Sequence, residues 1–149
     1  VSAEIVISIP ARFRRANVLR QLEHCQDNIA WHYMVDRLPR DRDLRRMHFV
    51  HDGELIGSLP ISGIENVTRR LALVRADGSH LPMTRDYAIL ACGTFRRRQS
   101  PIPMRGFRGW RYFTGKCPTC RGLGCDFDDA GREELCPICN GTGDIHDGD

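Results

Sequence analysis

Lysine is almost missing. Of the 22 Lys and Arg residues in the 149-residue chain, Lys116 is the only lysine. The cationic surface is therefore an arginine surface, and planar guanidinium forks suit bidentate contacts to phosphates and base edges. GC-rich coding produces the same bias, so the basic balance of the chain is the stronger cue to nucleic acid. Long apolar runs are missing too. No stretch reaches the roughly eighteen residues that a membrane-spanning helix needs, and no secretory signal pattern is visible. Neither P-loop, G-x-S-x-G nor H-E-x-x-H occurs. His24 and Cys25 are adjacent, and adjacent residues on a helix do not face each other. His48 and His51, three apart on a strand, point to opposite faces. No catalytic set emerges, and the expectation is binding rather than catalysis.

Cysteine is plentiful, and most of it falls in one pattern. Cys117-Pro-Thr-Cys120-Arg-Gly-Leu-Gly124 is echoed by Cys136-Pro-Ile-Cys139-Asn-Gly-Thr-Gly143. Two C-x2-C pairs at this separation form a zinc-site spacing. The two-residue gap aims both sulfurs of a pair at one ion, and the glycines let backbone N–H groups turn toward the thiolates. Cys117, Cys120, Cys136 and Cys139 are thus expected to hold one Zn²⁺ tetrahedrally, and four filled positions make the site structural. Disulfides or a redox pair would not require the doubled glycines. Cys125 is read as a free thiol outside the ligand set. Seven cysteines, an odd number used mostly in metal spacing, imply a reducing compartment, and the expected localisation is cytoplasmic.

Charge is divided along the chain. Residues 1–116 carry 20 Lys/Arg against 11 Asp/Glu, whereas 117–149 carry 2 against 8. A basic domain is followed by an acidic one too small to fold without a metal. The expected division is 1–115 for a barrel and 116–149 for a zinc ribbon with an acidic tail. Within the first unit, Glu4–Ile9 alternates as a strand, and Pro10 opens a helix over 11–25 with Phe13, Val18, Leu19, Leu22 and Cys25 on its apolar face. Residues 28–35 read as a strand or a short irregular segment, and 36–46 as a loop. Met47–His51 and Glu54–Leu59 read as strands about the Asp52-Gly53 turn, a strong type I′ signal. Residues 61–67 read as a connection, 69–75 as a strand, 76–79 as a turn and 87–95 as a buried strand. Residues 96–98 read as a basic run, 100–103 as a stiff loop and 109–113 as the final strand. Six short strands and one helix give an α+β class built on a small mixed barrel.

Two resemblances add to this. The doubled C-P-x-C-x-G-x-G of 117–143 resembles the cysteine-rich zinc domain of DnaJ-type co-chaperones. That family carries four copies and two zinc ions; this chain has two copies, enough for one, and no His-Pro-Asp tripeptide. The resemblance implies a zinc fold and a possible protein partner for the ribbon. The order strand, Pro-started helix, Asp-Gly hairpin, together with the segment Pro101-Ile-Pro-Met-Arg-Gly-Phe-Arg-Gly-Trp-Arg-Tyr-Phe113, resembles the PUA-like barrels (PUA, ASCH, EVE and YTH domains). It implies binding of RNA, or of a modified base flipped from DNA. ASCH-type members implied to be hydrolases use a Lys-Thr-Glu set, from which this sequence departs, its only lysine being Lys116.

The nucleic-acid surface is expected on the densest basic stretch: Arg96, Arg97, Arg98, Arg105, Arg108 and Arg111, interleaved with Phe107 and Trp110. Trp110 and Trp31, with Tyr33 and Phe107, are candidates to stack on bases, and such rings need partial exposure. In a small barrel the same rings serve equally as core.

Overall fold

The computed structural model describes residues 3–26, 29–66, 73–74, 80–81, 85–118, 120–121, 123–127 and 129–145. Its main feature is a curled mixed sheet, a half-barrel, organised about two central strands. β1 (Ala3–Ile9) lies parallel to β3 (Leu44–His51), with Ile5 opposite Met47 and Ile7 opposite Phe49. Parallel pairs are usually covered on both faces, and this pair is. Ile5, Ile7 and Ile9 enter one buried cluster with Met47 and Phe49, while Val6 and Val50 enter a second cluster.

β4 (Glu54–Asn66) returns from β3 through Asp52 and Gly53, whose φ values of 49° and 74° are those a type I′ turn demands. The first half of β4 pairs with β3 and with β8 (Arg96–Pro103), and the second half pairs with β7 (Tyr87–Ala91). Register shifts at Leu55/Gly57 and Ile61/Gly63 bend this strand from one part of the sheet into the other. A Cβ at Gly57 would lie 2.6 Å from the Arg96 carbonyl oxygen and from the Phe95 ring, so only glycine allows β8 to approach. β2 (Trp31–Val35) pairs with β7 at one edge, and β9 (Trp110–Tyr112) pairs with β1 at the other.

Three expectations are corrected. Residues 61–66 are not a connection but the continuation of β4, held by β7; Val67 lies outside the described residues. The basic run and the stiff loop are one strand, β8. Its two prolines are tolerated because, among the described residues, β8 pairs with β4 alone, leaving its other side without ladder bonds to supply. Helix α1 (Arg15–Glu23) begins later than 11. The Phe13 N–H bonds to the Pro10 carbonyl at 3.2 Å and Arg14 is extended, so Pro10 opens a turn before the helix. Val18 and Leu22 of α1 are buried, with Cys25 just beyond it, but Phe13 is 47% exposed and is not on the core stripe.

β5 (Leu73–Val74) pairs with β6 (His80–Leu81). The rest of the strand read at 69–75, and the turn at 76–79, lie outside the described residues. β10 (Cys125–Phe127) and β11 (Glu133–Leu135) form a separate hairpin between the two cysteine pairs. No described helix is long and apolar enough to cross a membrane.

Candidate metal centre and the arginine-rich face

The two cysteine motifs fold as near-copies of each other. The N–H of Cys136 bonds to the Gly124 carbonyl at 3.1 Å, and the N–H of Cys117 bonds to the Gly143 carbonyl at 2.8 Å. Arg121 and Asn140, each following the second cysteine of its motif, take left-handed φ values of 56° and 53°. That turn aims the backbone back at sulfur: the Gly124 N–H donates to Cys120 Sγ at 3.2 Å, and the Gly143 N–H to Cys139 Sγ at 3.3 Å. The expected role of these glycines is realised; Gly122 lies outside the described residues.

All four sulfurs of Cys117, Cys120, Cys136 and Cys139 lie within 4.8 Å of one another and all four residues are buried. Cys117 and Cys136 approach to 3.9 Å, Cys120 and Cys139 to 3.7 Å. These are not disulfide distances, which lie near about 2.05 Å. A tetrahedral ion with bonds of about 2.3 Å to sulfur has sulfur–sulfur edges of about 3.8 Å. The cluster therefore fits one metal ion, and its thiolate donors suit a soft or borderline one. Burial pushes the Cys139 thiol up, but the N–H groups of Gly143 and Gly141 and the sulfurs of Cys120 and Cys136 outweigh it. The thiol is drawn down to about 6, toward the thiolate a metal requires. Cys125, on β10 opposite Leu135, is not one of the four clustered cysteines.

The sequence did not reveal what lies beneath the cluster. The four cysteines and Ile145 share one buried cluster with Val6, Val50 and Leu55, with Ile102, Met104, Phe107, Phe113 and Ile138 packed around it. The ribbon thus covers the outer face of the half-barrel sheet. The available signal was the unbroken apolar run at Ile5–Ile7, which a strand covered on one face does not need. On the same face His48 is buried; its Nε2 lies 2.8 Å from Glu4 Oε1 and its ring stacks on Phe113 with centroids 3.8 Å apart.

The expected nucleic-acid residues divide by exposure. Arg96, Arg97, Arg105, Arg108 and Arg111 are exposed, whereas Arg98 is 4% exposed and does not share their surface. The Arg111 guanidinium lies 4.5 Å from the centroid of the Phe107 ring. Trp110 and Trp31 are half-buried and both pack on the interior core from opposite edges of the sheet. Trp110 meets Tyr112 edge-on at 5.1 Å, and Trp31 meets Phe49 edge-on at 5.4 Å. Tyr33 also packs on the core, and burial raises its hydroxyl against the opposing charge of Arg85. The exposed arginines and the two tryptophans therefore do not form one continuous strip.

Fold and site together define a mixed half-barrel sheet faced by a four-cysteine cluster with the geometry to hold a metal ion. No family model, curated protein or solved structure matches the chain.

Proposed function

We propose that the protein binds nucleic acid without transforming it, RNA in preference to DNA, and that the cysteine cluster holds one structural zinc ion. The observation that carries the reading is the set of exposed arginines on a single stretch, Arg96, Arg97, Arg105, Arg108 and Arg111. Phosphate neutralisation by such side chains supplies affinity that does not depend on sequence. The resemblance of 4–113 to PUA-like barrels, which bind RNA or a flipped modified base, supports it, as does the +9 balance of residues 1–116. Four thiolate donors that fill every position support zinc, and a filled set gives the ion a folding role. In this reading residues 1–115 form the binding unit and 116–149 the zinc ribbon, in a cytoplasmic protein.

The test is a salt titration of binding to a short labelled RNA and to the matching DNA. Affinity should fall steeply with salt, and the double change Arg105→Ala, Arg108→Ala should flatten the slope by about one per lost phosphate contact. Salt-insensitive or absent binding to every probe would sink the reading.

A second reading has its own observation. Leu123 and Leu135 of the ribbon are 74% and 72% exposed, in a segment that is otherwise acidic. A protein partner docking there would cover them, in keeping with the DnaJ-type resemblance. A cross-linked or co-purified protein that is lost in the Leu123→Ser, Leu135→Ser variant, with RNA binding absent throughout, would favour this reading over the first.

A further inference from the structure

Two arginine-on-phenylalanine contacts attach to the end of β1, one by a hydrogen bond and one by chain continuity. Arg111 lies over Phe107, and the Phe107 N–H donates to Ser8 Oγ at 3.0 Å. Arg12, three residues past the end of the same strand, lies 5.0 Å from the centroid of the Phe13 ring. Phe13 is not a core residue that failed to bury. It sits on a turn that the surrounding structure fixes in place.

The fixing runs through His51, which faces Ile9 of β1 in register. Arg15 Nε donates to His51 Nδ1 at 2.8 Å, so His51 carries its proton on Nε2 and donates it to the Phe13 carbonyl at 2.8 Å. Arg15 Nη2 also bonds to the His51 carbonyl at 2.9 Å and to Glu54 Oε1 at 3.1 Å. One step further, the Gly53 carbonyl accepts the Met104 N–H at 2.9 Å, which brings Arg105 to the same hairpin. Arg12, Arg14, Arg105, Arg108 and Arg111 are all exposed; Arg12 lies over the exposed Phe13 ring, Arg111 lies over Phe107, and Arg105 follows the Met104 that is bonded to the hairpin holding the Phe13 turn. Of the acidic groups on the hairpin, Glu54 is engaged by Arg15, and Asp52 is exposed. The balance at this end is strongly positive.

A ring held exposed among arginines matches what an unpaired strand offers. Its bases present open faces that stack on aromatic or guanidinium planes, and its phosphates follow a cationic groove. A duplex keeps those faces stacked inside. We propose that residues 12–14 and 105–111 form one surface for single-stranded nucleic acid, with Phe13, not Trp110 or Trp31, as the ring that stacks on a base. Arg14, Arg105 and Arg108 take the phosphates, and the planar guanidinium of Arg12 extends the stack. This rests on the nucleic-acid reading above and narrows it to an unpaired strand and a named aromatic.

The experiment is fluorescence anisotropy with the full zinc-loaded chain and two probes: a short fluorescein-labelled oligouridylate and an RNA duplex of equal length. The variants are Phe13→Leu, which keeps apolar bulk on the turn, Phe13→Tyr, which keeps a ring, Arg14→Ala and Arg108→Ala. The wild type should prefer the single strand. Phe13→Leu should weaken single-strand binding roughly five- to one-hundred-fold with an unchanged salt slope, and Phe13→Tyr should restore it. Arg14→Ala should lower the slope by about one. Thermal melting of each variant should match the wild type, separating a lost contact from a lost fold. Duplex preference overturns the inference and leaves the nucleic-acid reading standing. So does wild-type affinity in Phe13→Leu alongside weakened binding in Arg108→Ala. A wild type that binds neither probe overturns both.

Discussion

A Cβ added to Gly124 would lie 2.5 Å from the carbonyl oxygen of Gly141. The two cysteine motifs touch at their glycines, backbone against backbone, and no side chain can yield there. Gly124 also has φ of 77°. Gly124→Ala should therefore cost about 1–2 kcal/mol for the left-handed backbone alone, and more for the displaced Gly141 turn. The expected readout is weaker metal retention against a chelator and a lower melting temperature. Gly131→Ala makes the contrast: its φ is 78° but nothing stands within 4 Å of the added Cβ. It should keep its metal.

Metal content checks the ligand set directly. Elemental analysis of protein prepared under reducing conditions should give one zinc per chain. Cys136→Ser should lose it, and Cys125→Ser should not. Two ions per chain, or loss in the Cys125 variant, would show a different ligand set.

Acid should act through Glu4. Burial pushes its carboxyl up, but hydrogen bonds to His48 and Arg45, and their charge, outweigh this and hold it below the ordinary 4.5. A carboxyl lowered in the folded state stabilises the fold fully above its unfolded value, and that contribution disappears as pH falls through the folded value. Glu4→Ala should lose about 1.5–3 kcal/mol at neutral pH, the usual worth of hydrogen bonds to a charged group. Its stability should then depend less on pH below 4.5 than that of the wild type. Urea melts of both proteins from neutral pH down to that range measure the difference.

What the sequence made legible was local chemistry. Asp52-Gly53 named its turn because both residues need positive φ, and the cysteine pairs named their site because two residues decide where two sulfurs point. Less legible were features decided across the chain. Pro101 and Pro103 suggested a loop, yet β8 tolerates them because, among the described residues, it pairs only with β4. Phe13 fitted a helical stripe, but the turn at Pro10, the extended Arg14 and the bond from His51 to its carbonyl take it off that stripe. Trp110 looked like an exposed ring among arginines, but β9 pairs with β1 and turns it onto the core. Trp110→Ala should accordingly destabilise the fold by about 3 kcal/mol, the low end for a large aromatic because the ring is half-buried. A thermal melt checks this.

The shared cluster under the ribbon gives a last expectation. Ending the chain at residue 115 would uncover Val6, Val50 and Leu55, each 5% exposed or less. Burying such a side chain is worth about 1.5–3 kcal/mol. The shortened protein should melt at lower temperature and bind a hydrophobic dye, and removing the metal from the full chain should reproduce part of that loss. A shortened protein as stable as the full chain would show that the sheet does not need its cover.

The position of that cover sets an order of events during synthesis. β1 leaves the ribosome well before its neighbour β9 and the cysteines that shield Val6. Contacts between stretches far apart in sequence form slowly, and unpaired strand edges left waiting invite aggregation. Until Cys139 emerges and a metal arrives, the nascent chain carries an open strand and an uncovered apolar face. The supply of metal in the cell would then govern how much of the newly made protein matures and how much is lost to chaperones and proteases.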